Sequence, residues 1–182
     1  MKRFGIIGNP LEHSFSSNYF RNKFLSEDIS DAIYENFVLD SVDEVPHLIK
    51  QYPDLAGLNV TLPFKQQIIP ILDEIHDDAR EIGAVNTIKI VDGKLKGYNT
   101  DAPAFLRTLN LTGSTFKKAI VLGTGGASKA VCYALDQLMI DYLMVSRRME
   151  HKYITYQELN EAIISNCDLI INTTPVGMYP HV

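Results

Sequence analysis

The sequence predicts an α/β fold with a largely parallel sheet, and three observations lead to this class. Short apolar runs alternate with segments of helical period, which is typical of strands joined by crossover helices. Asp92-Gly93 separates two strand-like runs and predicts a tight hairpin, so one antiparallel pair interrupts the parallel order. A glycine-rich turn at 123–126 stands between a buried apolar strand and a helix, which predicts a second block of the same class.

The first block is predicted to place its helices between short strands that end in turn signals. Gly8-Asn9-Pro10 ends the first strand, and Ser41 with Glu44 forms a capping-box pattern at a helix start. Pro63 falls in the first turn of a later helix. The predicted strands are 3–8, 31–39, 57–61, 84–91 and 94–98, and the helices begin near 17, 41, 63 and 101.

The second block repeats the alternation after the loop 110–115. Its predicted strands are 118–122, 142–146 and 168–172, and its predicted helices are 128–139 and 155–164. Thr155 and Glu158 have the spacing of a capping pair at the start of the last helix. We place the domain boundary at the helix that starts at 101, so the predicted domains are 1–101 and 102–182.

Composition excludes several classes of function. A net charge of −5 without a local block of Lys and Arg argues against nucleic acid as the main partner. No apolar run approaches the roughly 18 residues of a membrane span, and the apolar stretch near the N-terminus is too short for a secretory signal. Cys132 and Cys167 lie in apolar surroundings, which favours buried free thiols over a disulfide or a metal pair. The chain is therefore predicted to be cytoplasmic and without a metal.

The turn from Gly123 to Ser128 has the context of a dinucleotide site. Gly123 allows the tight turn, Gly125 lets a pyrophosphate approach the backbone, and the following helix offers unpaired N–H groups. Ser128 stands at the third small-residue position, where glycine or alanine is usual. The alternative interpretation is an ordinary glycine-rich turn between a strand and a helix.

The end of the next strand distinguishes between the two nicotinamide dinucleotides. An NAD site usually has an acidic residue there, whereas a 2′-phosphate favours arginine. The strand ends in Ser146-Arg147-Arg148, and the next acidic residue is Glu150. This pattern favours NADP, and its alternative interpretation is a solvated basic loop.

Polar residues of the first block stand where its predicted strands end, which is where open α/β sheets bind ligands. The stretch 13–17 offers hydroxyl and N–H groups that suit a carboxylate, although a helix N-cap is the common role and His13 is predicted to be structural. Val60 and Leu62 are predicted to face the core, with Asn59 and Thr61 on the opposite side.

Lys65 and Asp101 are candidates for proton transfer. Lys65 falls in the first turn of a helix, where the helix dipole disfavours the charged amine and suits a general acid or base, although a surface lysine is the ordinary alternative. Asp101 follows the hairpin directly, and N-capping of the next helix is its ordinary alternative. Asn86 stands at the start of the hairpin.

Six segments in this order resemble the shikimate dehydrogenases. They are GNPLEHSFS, NVTLPFK, GAVNT, GYNTD, GTGGAS and NTTPVGM, and they extend along the whole chain. The resemblance implies an open α/β substrate domain followed by a Rossmann-like NADP-binding domain. It also implies reversible NADPH-dependent reduction of 3-dehydroshikimate to shikimate, on the route to chorismate and the aromatic amino acids, by a monomer or homodimer.

The resemblance assigns a role to each matching position. Ser14 and Ser16 would hold the shikimate carboxylate, with Asn59 supporting the pocket. Lys65 and Asp101 would form the catalytic pair, with Lys65 moving the proton. The hydroxyl-binding residues would be Thr61, Asn86 and Asp101. The cofactor-binding residues would be Asp77, Gly123, Thr124, Gly125, Gly126, Ala127, Ser128, Ser146, Arg147, Arg148, Thr173, Thr174 and Pro175.

The chain departs from the family pattern at three places, and these leave alternatives open. Ser17 stands where proline is usual, the NADP loop is Ser146-Arg147-Arg148 in place of Asn-Arg-Thr, and the segment 148–155 is short for the usual helix.

The family continues beyond Val182, so the chain is expected to be truncated at its C-terminus. The alternatives are a quinate/shikimate dehydrogenase that uses NAD, a non-catalytic regulator on the same scaffold, and another two-domain Rossmann enzyme such as a folate dehydrogenase.

Overall fold

The computed structural model describes residues 1–12, 14–149 and 152–177, and the chain divides into two compact units, Met1–Asn99 and Thr100–Val182. Each unit is a sheet with helices packed on it, so the predicted α/β class is confirmed. Asp101, which the predicted boundary assigns to the first domain, belongs to the second unit. His13, Glu150 and the last position of NTTPVGM lie outside the described residues.

The first unit is built on a six-stranded mixed sheet with the order β2-β1-β3-β5-β6-β4. The strand β1 pairs in parallel with β2 and β3, whereas β5 is antiparallel to both β3 and β6. Asp92 and Gly93 have φ angles of 51° and 74°, the left-handed pair of a type I′ turn, so the predicted hairpin is confirmed. The strands are β1 Lys2–Gly8, β2 Ala32–Val38, β3 Leu55–Val60, β4 Glu74–Ile75, β5 Thr87–Val91 and β6 Lys94–Tyr98.

Helices cover both faces of this sheet because its strands carry apolar residues on both sides. One face packs the larger core, which includes Ile7, Leu58 and Phe64, and the other packs Ile6 and Tyr34 against Phe20 of α1. The helices are α1 Phe15–Ser26, α2 Val45–Gln51, α3 Phe64–Gln67 and α4 Asp77–Ile82, with 3₁₀ turns at Val42–Glu44 and Ile69–Ile71. The Ser41–Glu44 capping box is present at the first of these turns.

The prediction that Leu62 faces the core is wrong. The strand β3 ends at Val60, which is 2% exposed, whereas the Leu62 side chain is 55% exposed. The carbonyl of Thr61 accepts the N–H of Phe64 at 2.9 Å, so the chain turns immediately after the strand. Strand alternation therefore stops two residues before Leu62.

The second unit is a fully parallel four-stranded sheet with the order β10-β7-β8-β9. Its core lies between the sheet and α5 and α6, where Leu109, Val121 and Leu135 are buried. The strands are β7 Lys118–Leu122, β8 Asp141–Ser146, β9 Ile154–Thr155 and β10 Leu169–Asn172. The helices are α5 Asp101–Leu111, α6 Gly126–Gln137 and α7 Glu161–Ser165.

The helix predicted for 155–164 is wrong in its first half, so the second unit has a fourth strand. Thr155 ends β9, and its N–H and hydroxyl both donate to the Glu158 carboxylate, at 2.6 and 2.8 Å. The predicted pair therefore exists, but it closes a turn after a strand. Asn160 accepts the N–H of Ile163 at 3.0 Å and is the N-cap of the short α7.

The described residues offer neither a membrane-spanning helix nor a cluster of metal ligands. Within the described ranges, no helix combines the length and the apolar character that a membrane crossing requires. Among the same residues, no group of three or more His, Cys, Asp and Glu side chains is placed to hold a metal ion.

Both cysteines are free, and Cys132 is buried in the second core. Burial raises the pKa of the Cys132 thiol from 9.0 to about 11, although a hydrogen bond with Tyr142 acts in the opposite direction. The thiolate is the reactive form of cysteine, so this residue is expected to be inert near neutral pH. The prediction of buried free thiols therefore describes Cys132 well, whereas Cys167 is only partly buried.

We expect the free energy of unfolding to fall as the pH rises from 9 to about 11. The folded thiol has the raised pKa, so in this range the unfolded chain has lost a proton that the folded chain still holds. This contribution is complete below pH 9 and is lost as the pH passes the folded pKa. Urea denaturation at several pH values tests the slope. Cys132→Ala should reduce it most between pH 9 and 10, because Tyr34 and Tyr142 also have raised pKa values and contribute above pH 10. Parallel slopes for the two proteins would show that another group is responsible.

Candidate functional site

Polar residues of the first unit gather at one edge of its sheet. The strands β1, β3 and β6 end at this edge, and the antiparallel β5 begins there. Backbone hydrogen bonds join these ends: Thr61 N–H to the Ile7 carbonyl at 3.0 Å, and Val60 N–H to the Asn86 carbonyl at 2.8 Å. The structure therefore brings Thr61 and Asn86 to the same edge, as ligand binding in an open α/β sheet requires.

A close backbone approach holds the loop after β1 against Thr61. A Cβ atom on Gly8 would lie 2.4 Å from Thr61 Cγ2, so only glycine fits there. The Asn9 N–H also donates to the Leu62 carbonyl at 3.0 Å. The start of α1, which carries Ser14 and Ser16, is thereby anchored to the segment that follows β3.

Ser14 occupies the N-cap position of α1 but makes no capping hydrogen bond through its side chain. Its Oγ is buried, and among the described residues it is the one buried side-chain N or O atom without a hydrogen-bond partner. Leaving such a group unsatisfied costs about 1–3 kcal/mol. The ordinary capping role therefore does not explain Ser14, and an acceptor supplied by a ligand would.

Ser16 is the second residue of α1, and its side chain forms a hydrogen bond with the hydroxyl of Tyr34. Burial raises the pKa of Tyr34 to about 12, and the hydrogen bond with Ser16 only partly offsets this effect. The same phenol donates to Asn59 Oδ1 at 2.8 Å. Tyr34 therefore stays protonated across the physiological range and links the start of α1 to the end of β3.

Lys65 lies in α3, which is a single turn of four residues. Its carbonyl accepts the N–H of Val85 at 2.7 Å, which fixes this turn beside the segment that leads to Asn86. The Lys65 side chain is partly buried. Because so short a helix has only a small macrodipole, a dipole effect is a weak basis for the role predicted for Lys65.

Asp101 and Asp77 each lie in the first turn of a helix. Thr100 occupies the N-cap position of α5 and Asp101 is its first helical residue, so the capping role considered for Asp101 is wrong. Asp77 begins α4, next to Asp78, and is exposed. Acidic residues stabilise a helix N-terminus, which is sufficient to explain Asp77 without a ligand.

In the second unit, the glycine-rich turn follows β7, which is flanked by β8 and β10 in the sheet. Gly123 has a φ of 109°, and a Cβ there would lie 2.8 Å from Thr173 Oγ1. Its N–H donates to the Val145 carbonyl at 2.9 Å. Glycine is thus required at position 123 for two reasons: the backbone has a positive φ, and the loop after β10 leaves no room for a side chain.

The rest of the turn leaves its backbone exposed at Gly125 and is stabilised by Ser128. Among the described residues, no atom outside Gly125 and its chain neighbours lies within 4 Å of a Cβ built on Gly125, so the backbone there is open. Ser128 is fully buried, and its hydroxyl donates to the Gly125 carbonyl at 2.6 Å. Ser128 therefore stabilises the turn and fits the close packing of α6, while the backbone of Thr124, Gly125, Gly126 and Ala127 remains as the candidate phosphate site.

Two further loops flank this turn at the same edge. Ser146 is buried, and its Oγ accepts the N–H of Arg148 at 3.1 Å, which orders the loop that exposes Arg147 and Arg148. On the other side, the Thr173 hydroxyl donates to the Leu122 carbonyl at 2.6 Å. The three loops therefore combine an open glycine-rich turn at the start of a helix with two exposed guanidinium groups.

Sequence reasoning missed three residues that organise these edges. Tyr34 and Thr87 contact the predicted residue Asn59 through side-chain hydrogen bonds. Asn172 Oδ1 accepts both the N–H and the hydroxyl of Thr174, at 3.0 and 2.7 Å, and so shapes the loop that contains Pro175. A tyrosine hydroxyl inside an apolar strand usually has a partner, and this is the signal that points to Tyr34.

A parallel sheet with an open glycine turn before a helix is typical of dinucleotide-binding α/β proteins, and here it is found beside a second α/β unit with its own polar edge. Residues 6–88 match the family described as the shikimate dehydrogenase substrate binding domain. Relatives that are 35–39% identical extend this match along the whole chain, which belongs to the shikimate dehydrogenase family.

Relatives with the same organisation support this assignment. The NADP(+) shikimate dehydrogenase of Caldicellulosiruptor bescii is 37% identical in an alignment of 199 positions, which covers all of this chain and 69% of the relative. The shikimate 5-dehydrogenase of Thermus thermophilus, solved with NADP(H) and shikimate, superposes with a TM-score of 0.83 at 31% identity, over 97% of this chain and 70% of that one. The quinate dehydrogenase of Corynebacterium glutamicum, solved with NAD, has the same TM-score at 26% identity, over 100% of this chain and 73% of that one.

Proposed function

We propose that this protein is an NADP-dependent shikimate dehydrogenase that reduces 3-dehydroshikimate to shikimate and runs in both directions. Residues 1–101 would bind the substrate and residues 102–182 the cofactor. The observation that carries the proposal is the buried, unpartnered Ser14 Oγ at the polar edge of the first sheet. It is supported by curated relatives that are named NADP(+) shikimate dehydrogenases.

Ser14 and Ser16 would bind the substrate carboxylate. Hydrogen bonds to a charged acceptor are stronger than those between neutral groups, so a carboxylate offsets the cost of burying Ser14 Oγ. Thr61 and Asn86 would bind ring hydroxyls from the ends of β3 and β5, with Asn59 behind them. A ring with a carboxylate at one end and hydroxyls at the other matches this order of groups.

Lys65 would deliver the proton to the oxygen of the reduced ketone, and Asp101 would contribute a carboxylate to the same chemistry. NADPH supplies the hydride in the reduction. Asp101 would also bind a ring hydroxyl, which gives it a role in affinity that Lys65 lacks.

The cofactor would lie along the carboxyl edge of the second sheet. The open backbone at Gly125 fits a pyrophosphate, with Thr173, Thr174 and Pro175 on one side of the turn. Arg147 and Arg148 would bind the 2′-phosphate, which distinguishes NADP from NAD. These arginines make the NAD-dependent quinate alternative the weaker one, and the presence of Lys65 and Asp101 argues against a non-catalytic regulator.

The remaining parts of the proposal concern the setting of the enzyme. Two free cysteines and a reduced nicotinamide cofactor favour a cytoplasmic location. We expect the protein to be a monomer or homodimer. We also expect it not to bind nucleic acid, because the chain has a net charge of −5. Cell fractionation, sedimentation and a salt-dependent DNA-binding assay would test these three points.

Ser14→Ala tests the carboxylate site, because it should change stability and affinity in opposite directions. Removing a buried hydroxyl without a partner should leave the midpoint of thermal unfolding unchanged or slightly raised. Losing one charge-assisted hydrogen bond should raise KM for shikimate about tenfold or more.

Ser26→Ala is the matched control, because Ser26 is the last residue of α1 and donates to the Lys23 carbonyl at 3.0 Å in an exposed position. Its KM should equal that of the wild type. An unchanged KM in Ser14→Ala, measured in the protein as its gene encodes it, would remove Ser14 from the substrate site. A lowered unfolding midpoint would instead assign the hydroxyl a structural role.

A further inference from the structure

A chain of side-chain hydrogen bonds runs across three strands at the polar edge of the first sheet. The Tyr34 hydroxyl donates to Asn59 Oδ1 at 2.8 Å, and Asn59 Nδ2 donates to Thr87 Oγ1 at 3.4 Å. The Thr87 hydroxyl then donates to Asn86 Oδ1 at 3.1 Å. We call Tyr34, Asn59, Thr87 and Asn86 the amide relay, because its two amides alternate with two hydroxyls.

The strand pairing places these side chains together. Asn59 on β3 lies directly opposite Thr87 on β5, and Ile6 on β1 lies beside Asn59. Tyr34 lies on β2, beyond β1, so its long phenol reaches across one strand to Asn59. Phe20 stacks on the Tyr34 ring at 4.5 Å between centroids, which holds the ring in this direction.

The relay fixes which end of each amide faces which way. An amide has a donor and an acceptor end of nearly equal size, so only hydrogen bonds distinguish the two orientations. The single proton of Tyr34 goes to Asn59 Oδ1, which turns Asn59 Nδ2 toward Thr87. Thr87 in turn engages Asn86 Oδ1, so the donor end of Asn86 is directed away from Thr87.

We propose that Tyr34 and Thr87 are positioning residues that orient the amide of Asn86 toward a hydroxyl of the substrate. Thr87 acts on Asn86 directly, and Tyr34 acts on it through Asn59 and Thr87. The inference rests on the proposed function, since Asn86 is there a substrate-binding residue. Asn86 is 8% exposed and lies between Val85 and the start of β5, so its place at the edge is also constrained by the backbone.

Tyr34 also extends the relay toward the other end of the substrate. Because the Tyr34 proton goes to Asn59, the Ser16 hydroxyl donates to the phenol oxygen, and it would have to turn from the phenol to the ligand to bind a carboxylate in the proposed site. Because the phenol stays protonated to about pH 12, its donor to Asn59 is present throughout the range in which the enzyme would be assayed. The relay thereby connects the carboxylate-binding and hydroxyl-binding groups through one buried side chain.

Steady-state kinetics of Tyr34→Phe and Thr87→Val test the inference. Each change removes one hydroxyl and keeps the shape of the side chain. We expect KM for shikimate to rise about tenfold in each variant, the loss typical of one hydrogen bond, with kcat within about threefold and KM for NADP unchanged. The double variant should lose less than the product of the single losses, because the residues belong to one network.

Two matched variants separate positioning from folding. Thr87→Ser keeps the hydroxyl and should retain nearly the wild-type KM. Tyr52→Phe makes the same change as Tyr34→Phe in a ring that packs against Phe37 and the Arg3 guanidinium, at the opposite end of β3, and should leave all constants unchanged. Thermal unfolding of every variant shows whether a change in KM accompanies a loss of structure.

The possible failures are distinguishable. A wild-type protein that does not turn over shikimate would overturn the proposed function and this inference with it. An active wild type with unchanged KM in both variants would overturn the inference alone. Equal losses with shikimate and NADP, or multiplicative losses in the double variant, would show independent structural effects. If Tyr34→Phe does not fold, the contrast between Thr87→Val and Thr87→Ser decides the outcome.

Discussion

Lys65→Ala is expected to lower kcat by about two to four orders of magnitude while KM for shikimate changes little. This is the size of effect that general acid–base catalysis typically contributes, and it follows from the proton that the reduced ketone must receive. Lys65 lies on a one-turn helix, and the hydrogen bond from the Val85 N–H to the Lys65 carbonyl fixes this turn. Loss of the ammonium should therefore remove the proton donor without disturbing the backbone around Asn86.

Lys50→Ala is a suitable control, because Lys50 is an exposed lysine in the last turn of α2. Steady-state kinetics with shikimate and NADP should give the control its full kcat. A Lys65→Ala protein that keeps near-normal kcat would exclude Lys65 as the proton donor. A rise in KM without a fall in kcat would assign Lys65 to binding instead.

Replacing both Arg147 and Arg148 by alanine is expected to abolish the preference for NADPH over NADH. Each charge-assisted hydrogen bond to the 2′-phosphate contributes about 1.5–3 kcal/mol, so losing two should weaken NADPH by at least a hundredfold. NADH has no 2′-phosphate and should be little affected. The ratio of kcat/KM for the two cofactors is the measurement that isolates this effect.

Arg107→Ala provides the matched control, since Arg107 is an exposed arginine on α5. It should leave the ratio unchanged. Equal losses for NADPH and NADH in the double variant would show that Arg147 and Arg148 support the loop after β8. A preserved preference for NADPH would place the 2′-phosphate elsewhere.

Much of the fold could be predicted from local signals, because those signals act within a few residues. The Asp92-Gly93 hairpin, the Ser41–Glu44 capping box and the turn at Gly123 are all present. The strands of the second unit that coincide with apolar runs were also predictable. Each of these features depends on backbone conformation or on apolar periodicity, and both are properties of a short window.

The wrong predictions occur where a long-range partner or an element end decides the structure. Residues 154 and 155 pair with β8, which overrides the helical pattern that begins at Thr155. Leu62 lies just beyond the last residue of its strand. Sequence periodicity alone does not locate such limits.

In the candidate site, too, the positions that follow from local signals could be predicted, and those that depend on a distant partner could not. The positions of Ser14, Thr61 and Asn86 at one sheet edge follow from their places at strand ends, which the sequence indicates. Tyr34 could not be found in this way, because its partner Asn59 is 25 residues away and on a strand that is not its neighbour. Likewise, the sequence places Ser128 in the turn but does not reveal that its hydroxyl is already bonded to the Gly125 carbonyl.

The most direct test of the proposed function is a cofactor-linked assay of the protein as its gene encodes it. The protein is mixed with 3-dehydroshikimate and either NADPH or NADH, and the loss of reduced cofactor is compared with the shikimate formed. We expect one shikimate for each NADPH oxidised and a much lower kcat/KM with NADH. Absence of turnover with both cofactors, or turnover that prefers NADH, would contradict an NADP-dependent shikimate dehydrogenase.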